Sequence, residues 1–352
     1  MIPTFRRGSW GAMALVATLA GSSLASAQQV EARDDEGRIR LRGFADFTST
    51  ATSQRGVPWA FGLGQFDLYM TSKLSDRISF LGETVFEYDD GFIVDVERVI
   101  VTFAARSYFR VAVGKHHTPI GYWNNAFHHG TLLQPTINRP QLVRFEDEGG
   151  VLPIHTTGVL VSGRDISPLH LGYDVMVGNG IGSTPTADDN SAKSYTMAVH
   201  SQVTSALSVG ASMYTDRIAA GSPSLGASPV PEDVTVQLFG GFATYLGRQL
   251  ELISEFQRSE HRSNPSGTMT ATNALYVYGG YRFGSLVPYV RYDDLQFPTL
   301  DPYFVSDNFR QALLGARYDL GSAAVLKAEI ARRKTSAAGK VTLLTLQAAV
   351  GF

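Results

Sequence analysis

The amino-acid sequence predicts an all-β fold, a transmembrane, antiparallel, up-and-down β-barrel of about sixteen strands. Three observations predict it. Side chains alternate between apolar and polar along one segment after another. The connections between those segments are short and long in turn. No stretch beyond the N-terminal leader reads as a transmembrane helix, so any membrane crossing falls to strands.

Composition agrees. The chain has 352 residues, 44% hydrophobic and 18% charged, with a mean hydropathy of -0.03. A helical membrane protein would be far more apolar, whereas a barrel hides its apolar residues on alternate positions and keeps a neutral average. The 35 glycines, 20 phenylalanines and 15 tyrosines suit sheet and tight turns. A formal net charge of -2 and the absence of a basic run argue against a nucleic-acid partner. The chain has no cysteine, which excludes disulfides and cysteine-based metal or redox centres. No cofactor is implied.

The first element is an export signal. Arg6 and Arg7 make a positive start, an apolar run follows from Ala12 to Leu24, and Ala25-Ser26-Ala27 has the small-x-small form of a signal-peptidase site. Cleavage is expected after Ala27, leaving Gln28 first. Residues 28–37 read as a short periplasmic lead-in, in which Glu31 to Gly37 is a linker too short to be a plug domain. Residues 38–352 read as the barrel.

The strands follow. In Gln65 to Thr71, Phe66, Leu68 and Met70 oppose Gln65, Asp67, Tyr69 and Thr71. In Leu250 to Gln257, Leu250, Leu252 and Phe256 oppose Glu251, Glu255 and Gln257. In Ala324 to Arg333, Leu326, Ala328 and Ile330 oppose Lys327, Glu329 and Arg333. Short turns are expected at Ser75-Asp76, Ala105-Arg106, Ile166-Ser167, Thr204-Ser205, Gly247-Arg248, Gly284-Ser285 and Gly321-Ser322. Longer polar loops are expected at Ser53 to Val57, Tyr88 to Gly91, His116 to Pro153, Asn179 to Asn190, Ala219 to Pro231, Glu260 to Thr270, Pro298 to Ser306 and Thr335 to Gly339. Seven turns and eight loops join sixteen strands, an even number as bacterial barrels have. Tyr69, Phe86, Tyr88, Phe103, Tyr108, Phe109, Tyr245, Phe283 and Tyr318 are placed for interfacial girdles. A soluble sandwich or propeller would also alternate, but no blade-length repeat is present.

The final segment carries a resemblance. Thr342, Leu344, Leu346, Ala348, Val350 and Phe352 share one face, and a last strand ending in an aromatic residue resembles the assembly signal of Gram-negative outer-membrane proteins. The stretch Gly114-Lys115-His116-His117-Thr118-Pro119-Ile120-Gly121 also resembles the glycine-x-x-x-threonine-proline entry to the third loop in porins of the phosphate-selective type and their relatives. The architecture of the whole chain is similar to that of outer-membrane porins. That resemblance implies a water-filled channel for passive diffusion of small hydrophilic solutes or ions, with the long third extracellular loop folded into the lumen. It implies outer-membrane lipid and lipopolysaccharide as surroundings, the assembly machinery as a partner through Phe352, and a possible homotrimer.

Closure at sixteen strands leaves a lumen wide enough for water. Turning the apolar set outward puts Arg38, Arg40, Asp67, Glu83, Glu87, Glu251, Glu255, Arg282, Arg291, Lys327, Glu329 and Arg333 inside, since facing lipid near the midplane would cost about 2–4 kcal/mol for each basic residue. In the long loop, Lys115, Arg139 and Arg144 are basic, and Glu146, Asp147 and Glu148 acidic. Opposed charges at a constriction would set a transverse field. A strongly phosphate-selective pore would carry a denser run of Lys and Arg than this chain has.

Five of the eight histidines lie in or beside that loop: His116, His117, His128, His129 and His155. Neutral imidazole is a common ligand, so metal or metallophore-linked uptake is an alternative function, set against ordinary loop packing. A barrel enzyme is another alternative. Ser254 near Glu255 and His261 is its best candidate, though without a nucleophile-elbow motif, and the expectation is no enzyme. A non-conducting receptor or adhesin is the third.

Overall fold

The computed structural model describes residues 37–352, except residues 89–90, 128–129, 185, 227 and 305–306. The expected signal segment, its cleavage point at Ala27 and nearly all of the lead-in lie outside the described residues, as do His128 and His129.

The alternation resolves into sixteen strands among the described residues. They are β1 (Ile39–Thr52), β2 (Ala60–Lys73), β3 (Ile78–Tyr88), β4 (Phe92–Arg106), β5 (Phe109–His117), β6 (His155–Ile166), β7 (Leu171–Gly178) and β8 (Ser194–Gln202), then β9 (Leu207–Ile218), β10 (Asp233–Leu246), β11 (Leu250–Asn264), β12 (Met269–Tyr281), β13 (Leu286–Gln296), β14 (Phe309–Asp319), β15 (Ala324–Thr335) and β16 (Gly339–Gly351). Each strand pairs antiparallel with its sequence neighbours, and β1 pairs with β16 to close the barrel. Closure leaves no free edge, so every ladder N–H and C=O has a partner without water. The seam ends on Phe352, whose N–H donates to Gly43 O at 2.9 Å and whose carbonyl accepts from Gly43 N at 2.8 Å.

Turns and loops fall within about two residues of where the sequence puts them (the turn expected at Ala105-Arg106 is at Ser107-Tyr108, since β4 runs through Arg106), with one larger exception. Glu260 to Thr270 was expected to be loop, yet β11 runs on to Asn264 and β12 begins at Met269. The ladder continues although both faces there are polar: Arg258, Glu260 and Arg262 alternate with Ser259, His261 and Ser263. A strand projecting past the apolar band shows no hydropathy alternation to read.

The outward face is the apolar one. Phe103 pairs with Ile78 and Val111, and Leu346 with Ala328 and Ser49. Phe86, Tyr88, Phe103, Tyr108, Phe109, Tyr245, Phe283 and Tyr318 are exposed as expected of girdle residues. Tyr69 is a correction. It faces inward, with the Arg98 guanidinium 5.3 Å from its ring centroid and Phe44 against its edge, so it belongs to the lumen wall.

The inner face also departs from a uniformly polar expectation. Tyr214, Val234, Val236, Leu238, Ile253, Tyr276, Tyr278 and Tyr289 point inward and are buried. They form one apolar cluster with Ile120, Trp123, Phe127, Leu142, Val143, Val151, Leu152 and Ile154 from the long third connection. That connection, residues 118–154, is folded into the barrel and packs on β9 to β15. Removing apolar surface from water, at roughly 25 cal/mol per Å², contributes to holding it there.

Candidate functional site

The infolded loop packs on the inner wall of the barrel, and charged side chains of that wall hydrogen-bond to it. It enters after His117 and contains one short helix, α1 (Trp123–Ala126), and two single 3-10 turns at Gln141–Val143 and Glu146–Glu148. A chain path this irregular leaves backbone N–H and C=O groups unpaired, and in a barrel interior they need side-chain partners. Five wall residues supply them. Glu255 accepts from the backbone N–H of Tyr122 and of Trp123, each at 2.7 Å, and from the Tyr276 hydroxyl at 2.5 Å. Arg291 donates to Thr136 Oγ1 and Asn138 O, both at 2.6 Å, and to Arg139 O at 3.2 Å. Its pair partner Asp293, 2.9 Å away, accepts from Gln141 N at 3.0 Å. Glu329 accepts from Ile137 N at 2.7 Å and the Tyr289 hydroxyl at 2.8 Å. Lys327 donates to Thr131 O at 2.5 Å and Thr136 O at 3.2 Å.

Glu255 and Arg291 therefore point into the barrel as expected, but they do not line water. Glu255 is 1% exposed and Arg291 2%. Both are clamps on the loop. Their partners on the loop lie more than a hundred residues away in sequence, which no local pattern could reveal.

The other expected lumen residues are divided among several networks. Glu251 accepts from Arg317 Nη2 at 3.0 Å, Arg282 Nη2 at 3.2 Å and the Tyr278 hydroxyl at 2.9 Å, and Arg282 also reaches Asp319 at 2.7 Å. This network sits at the turn end. Glu87 accepts from Gln65 at 3.3 Å. Glu83 is fully buried and paired with Arg98. Lys115 donates to Val96 O at 2.7 Å and lies 3.6 Å from Asp95.

Within the loop, Arg139 lies over the Phe145 ring at 4.5 Å and donates to Val143 O at 3.4 Å. Burial pushes its guanidinium down to about 10, partly offset by the nearby Glu97 and Glu148 charges. Arg144 is also lowered, chiefly by burial and further by Arg291, against the opposing pull of Glu148 3.7 Å away. Glu146 accepts from Ile154 N at 3.0 Å. Asp147 lies in the second 3-10 turn.

Of the described histidines here, His117 and His155 meet carboxylates. His117 and His155 are register partners on β5 and β6, their rings 5.4 Å apart. His155 Nε2 lies 2.6 Å from Glu97, and His117 Nε2 3.7 Å from Glu83. His116 is buried beside them. Among the described residues no group of three or more His, Asp or Glu is placed to hold a metal ion.

The catalytic candidate comes apart. Ser254 shares the outward face of Leu252 and Phe256, whereas Glu255 and His261 point inward. His261 instead sits between Ser259 Oγ, 3.2 Å from Nε2, and Asp301, 2.8 Å from Nδ1. That is the hydrogen-bond order of an acyl-transfer triad. Ser259 is 3% exposed and His261 1%, with the Phe304 ring tilted against the imidazole, centroids 4.7 Å apart. The arrangement tethers the loop between β13 and β14 to the barrel wall.

At the turn end the inner face opens. Arg40 and Arg42 alternate with outward Ile39 and Leu41, pair with Thr71 and Tyr69 on the inner face, and are exposed.

No protein-family model matches the chain, and no curated protein matches its sequence at a significant level. Solved structures do match in fold. The anion-selective porin from Comamonas acidovorans superposes with a TM-score of 0.65 at 14% identity, covering 90% of this chain and 99% of that one. OmpT of Vibrio cholerae in its trimer form gives 0.62 at 17% identity, covering 90% and 100%. OmpF of Salmonella typhi in complex with daunomycin gives 0.61 at 14% identity, covering 92% and 100%. At such identities the likeness is one of fold: a closed, antiparallel barrel, here of sixteen strands.

Proposed function

We propose that this chain is an outer-membrane porin, a water-filled channel for passive diffusion of small hydrophilic solutes or ions, and not an enzyme. One observation carries the reading. Below the infolded loop, Arg40 and Arg42 point into the barrel and are exposed. Charged side chains on the inner wall are tolerable there only if the lumen holds water. The loop above them packs against β9 to β15, narrowing the passage from one side. Porin fold relatives support the same reading.

The export signal, with cleavage after Ala27, and assembly through the Phe352 strand complete the proposal, in a bilayer of lipid and lipopolysaccharide. A homotrimer is consistent with the trimer form of OmpT from Vibrio cholerae.

The test is planar-bilayer recording of the purified, detergent-folded barrel. The expected result is stepwise insertion of long-lived open channels, with a reversal potential in a salt gradient that reports ion preference. A folded protein that inserts without conductance overturns the reading. N-terminal sequencing of the membrane-extracted protein should begin at Gln28.

A further inference from the structure

A cavity of about 290 Å³ lies where the second half of the infolded loop faces β14 and β15. Four segments wall it: the loop at Gln141, Arg144, Glu146 and Glu148 to Gly150, the connection carrying Leu225, the connection carrying Phe297, Phe304 and Asp307, and the loop ends of β14 and β15 at Phe309 and Arg333. At about 30 Å³ per water it would hold about ten waters. That is close to the lower end of small-ligand pockets, about 300 Å³.

Its lining has three kinds of surface. Two guanidinium groups, Arg144 and Arg333, face it. Arg144 reaches Glu148 only at 3.7 Å, longer than a hydrogen bond. Arg333 donates through Nε to Gln311 at 3.2 Å and lies over the Phe309 ring at 5.3 Å, which leaves the terminal N–H groups of its fork as donors. Three carboxylates, Glu146, Glu148 and Asp307, also face it. Asp307 is fixed by the backbone N–H groups of Ser336 at 2.5 Å and Ala337 at 3.3 Å, and Glu146 by that of Ile154. Phe297, Phe304 and Leu225 add apolar wall.

This combination selects by charge and by shape. A plain anion drawn to the two guanidiniums would also meet three carboxylates. A plain cation would meet two guanidiniums. A dipolar molecule satisfies both sets, with its carboxylate taken bidentately by Arg144 and Arg333 and its ammonium directed to Glu148 and Asp307. The aromatic wall then asks for an apolar substituent. We propose that this cavity is a binding subsite for small amphipathic zwitterions, namely α-amino acids or short peptides bearing an apolar or aromatic side chain. The proposal deepens the channel reading and rests on it for its role in uptake.

The experiment uses the full mature barrel and four probes: L-phenylalanine, 3-phenylpropanoate, 2-phenylethylamine and glycine. Binding is read by isothermal titration on the detergent-folded protein, and current block by planar-bilayer recording. L-Phenylalanine should bind saturably and reduce the open-channel current with the same concentration dependence. The two single-charge analogues and glycine should each be at least tenfold weaker. Arg333→Gln and Glu148→Gln should each weaken L-phenylalanine at least tenfold, and Arg333→Lys should do so by losing the fork while keeping the charge. Equal binding of 3-phenylpropanoate or 2-phenylethylamine, or L-phenylalanine binding unmoved by both neutralising variants, overturns the subsite. Steady conductance without L-phenylalanine binding removes the subsite and leaves the channel. Saturable binding without conductance removes the channel and leaves the subsite.

Discussion

The backbone N–H of Trp123 donates to the carboxylate of Glu255 at 2.7 Å, joining the infolded loop to a wall strand 132 residues further along the chain. The same carboxylate holds Tyr122 N. Glu255→Ala would orphan two N–H groups and the Tyr276 hydroxyl inside the barrel, at about 1–3 kcal/mol per buried group. The expected outcome is a loop that moves. Open-channel current noise should rise clearly over the parent, and the thermal unfolding midpoint of the detergent-folded barrel should fall. Glu255→Gln keeps one acceptor oxygen and should fall between the two. Unchanged noise in Glu255→Ala would show that apolar packing alone holds the loop.

Arg291 and Asp293 form a buried pair that also grips the loop from Thr136 to Gln141. Removing one partner leaves an uncompensated buried charge, which costs about 3–5 kcal/mol. Arg291→Met should therefore destabilise the barrel more than the double variant Arg291→Met/Asp293→Asn. Urea unfolding of detergent-folded protein measures both. A double variant less stable than Arg291→Met contradicts the pairing.

What the sequence made legible was whatever repeats along one strand. The turn and loop positions followed from period-two alternation and its interruptions, and Leu344, Leu346 and Val350 on the outer face of β16 followed from the same rule. Where the strand leaves the apolar band the rule has nothing to act on, and β11 was cut short at Glu260 for that reason. Tyr69 was assigned to a girdle by its place near a strand end, although its parity with Asp67 already pointed it inward. The inner apolar patch, with Tyr276 and Ile253, was hidden because its partner is loop 118–154 and not a neighbouring strand. Glu255 and Arg291 were recognisable as inward charges. Their work as clamps depends on contacts across the lumen.

Asp301 tethers the connection between β13 and β14, accepting from Tyr303 N at 2.9 Å, Phe304 N at 2.8 Å and Thr270 at 2.8 Å beside His261. Burial alone would raise its carboxyl, but His261 and those two N–H groups outweigh burial and hold it below the ordinary 3.8. A carboxyl depressed in the folded state contributes stability above its unfolded value and loses it as pH falls through the folded one. The tether should thus be intact at neutral pH and weaken progressively below about pH 4, near the unfolded aspartate value. Hydrogen exchange at Tyr303 and Phe304, corrected for intrinsic rates, should show protection falling in that acid range. Asp301→Asn should be flat there and less protected at pH 7. Equal protection at pH 7 and pH 3 in the parent would refute the tether.

The seam offers a packing test. The Phe352 ring stacks on Phe66 at 6.0 Å and 20° between planes, and it covers Gly43 so closely that a Cβ there would lie 2.4 Å from the ring edge. Gly43→Ala therefore forces the ring off Phe66, an overpacking cost of about 1–3 kcal/mol. Phe352→Ala loses the same stacking and frees the space above residue 43. The two changes should be strongly non-additive: Gly43→Ala should cost almost nothing in the Phe352→Ala background. A double-mutant cycle on the thermal unfolding midpoint of the detergent-folded barrel reads the coupling. Additive losses would mean that the ring does not cover Gly43 in the folded barrel, and that the seam is closed by the ladder from Phe44 to Thr52 without its terminal aromatic.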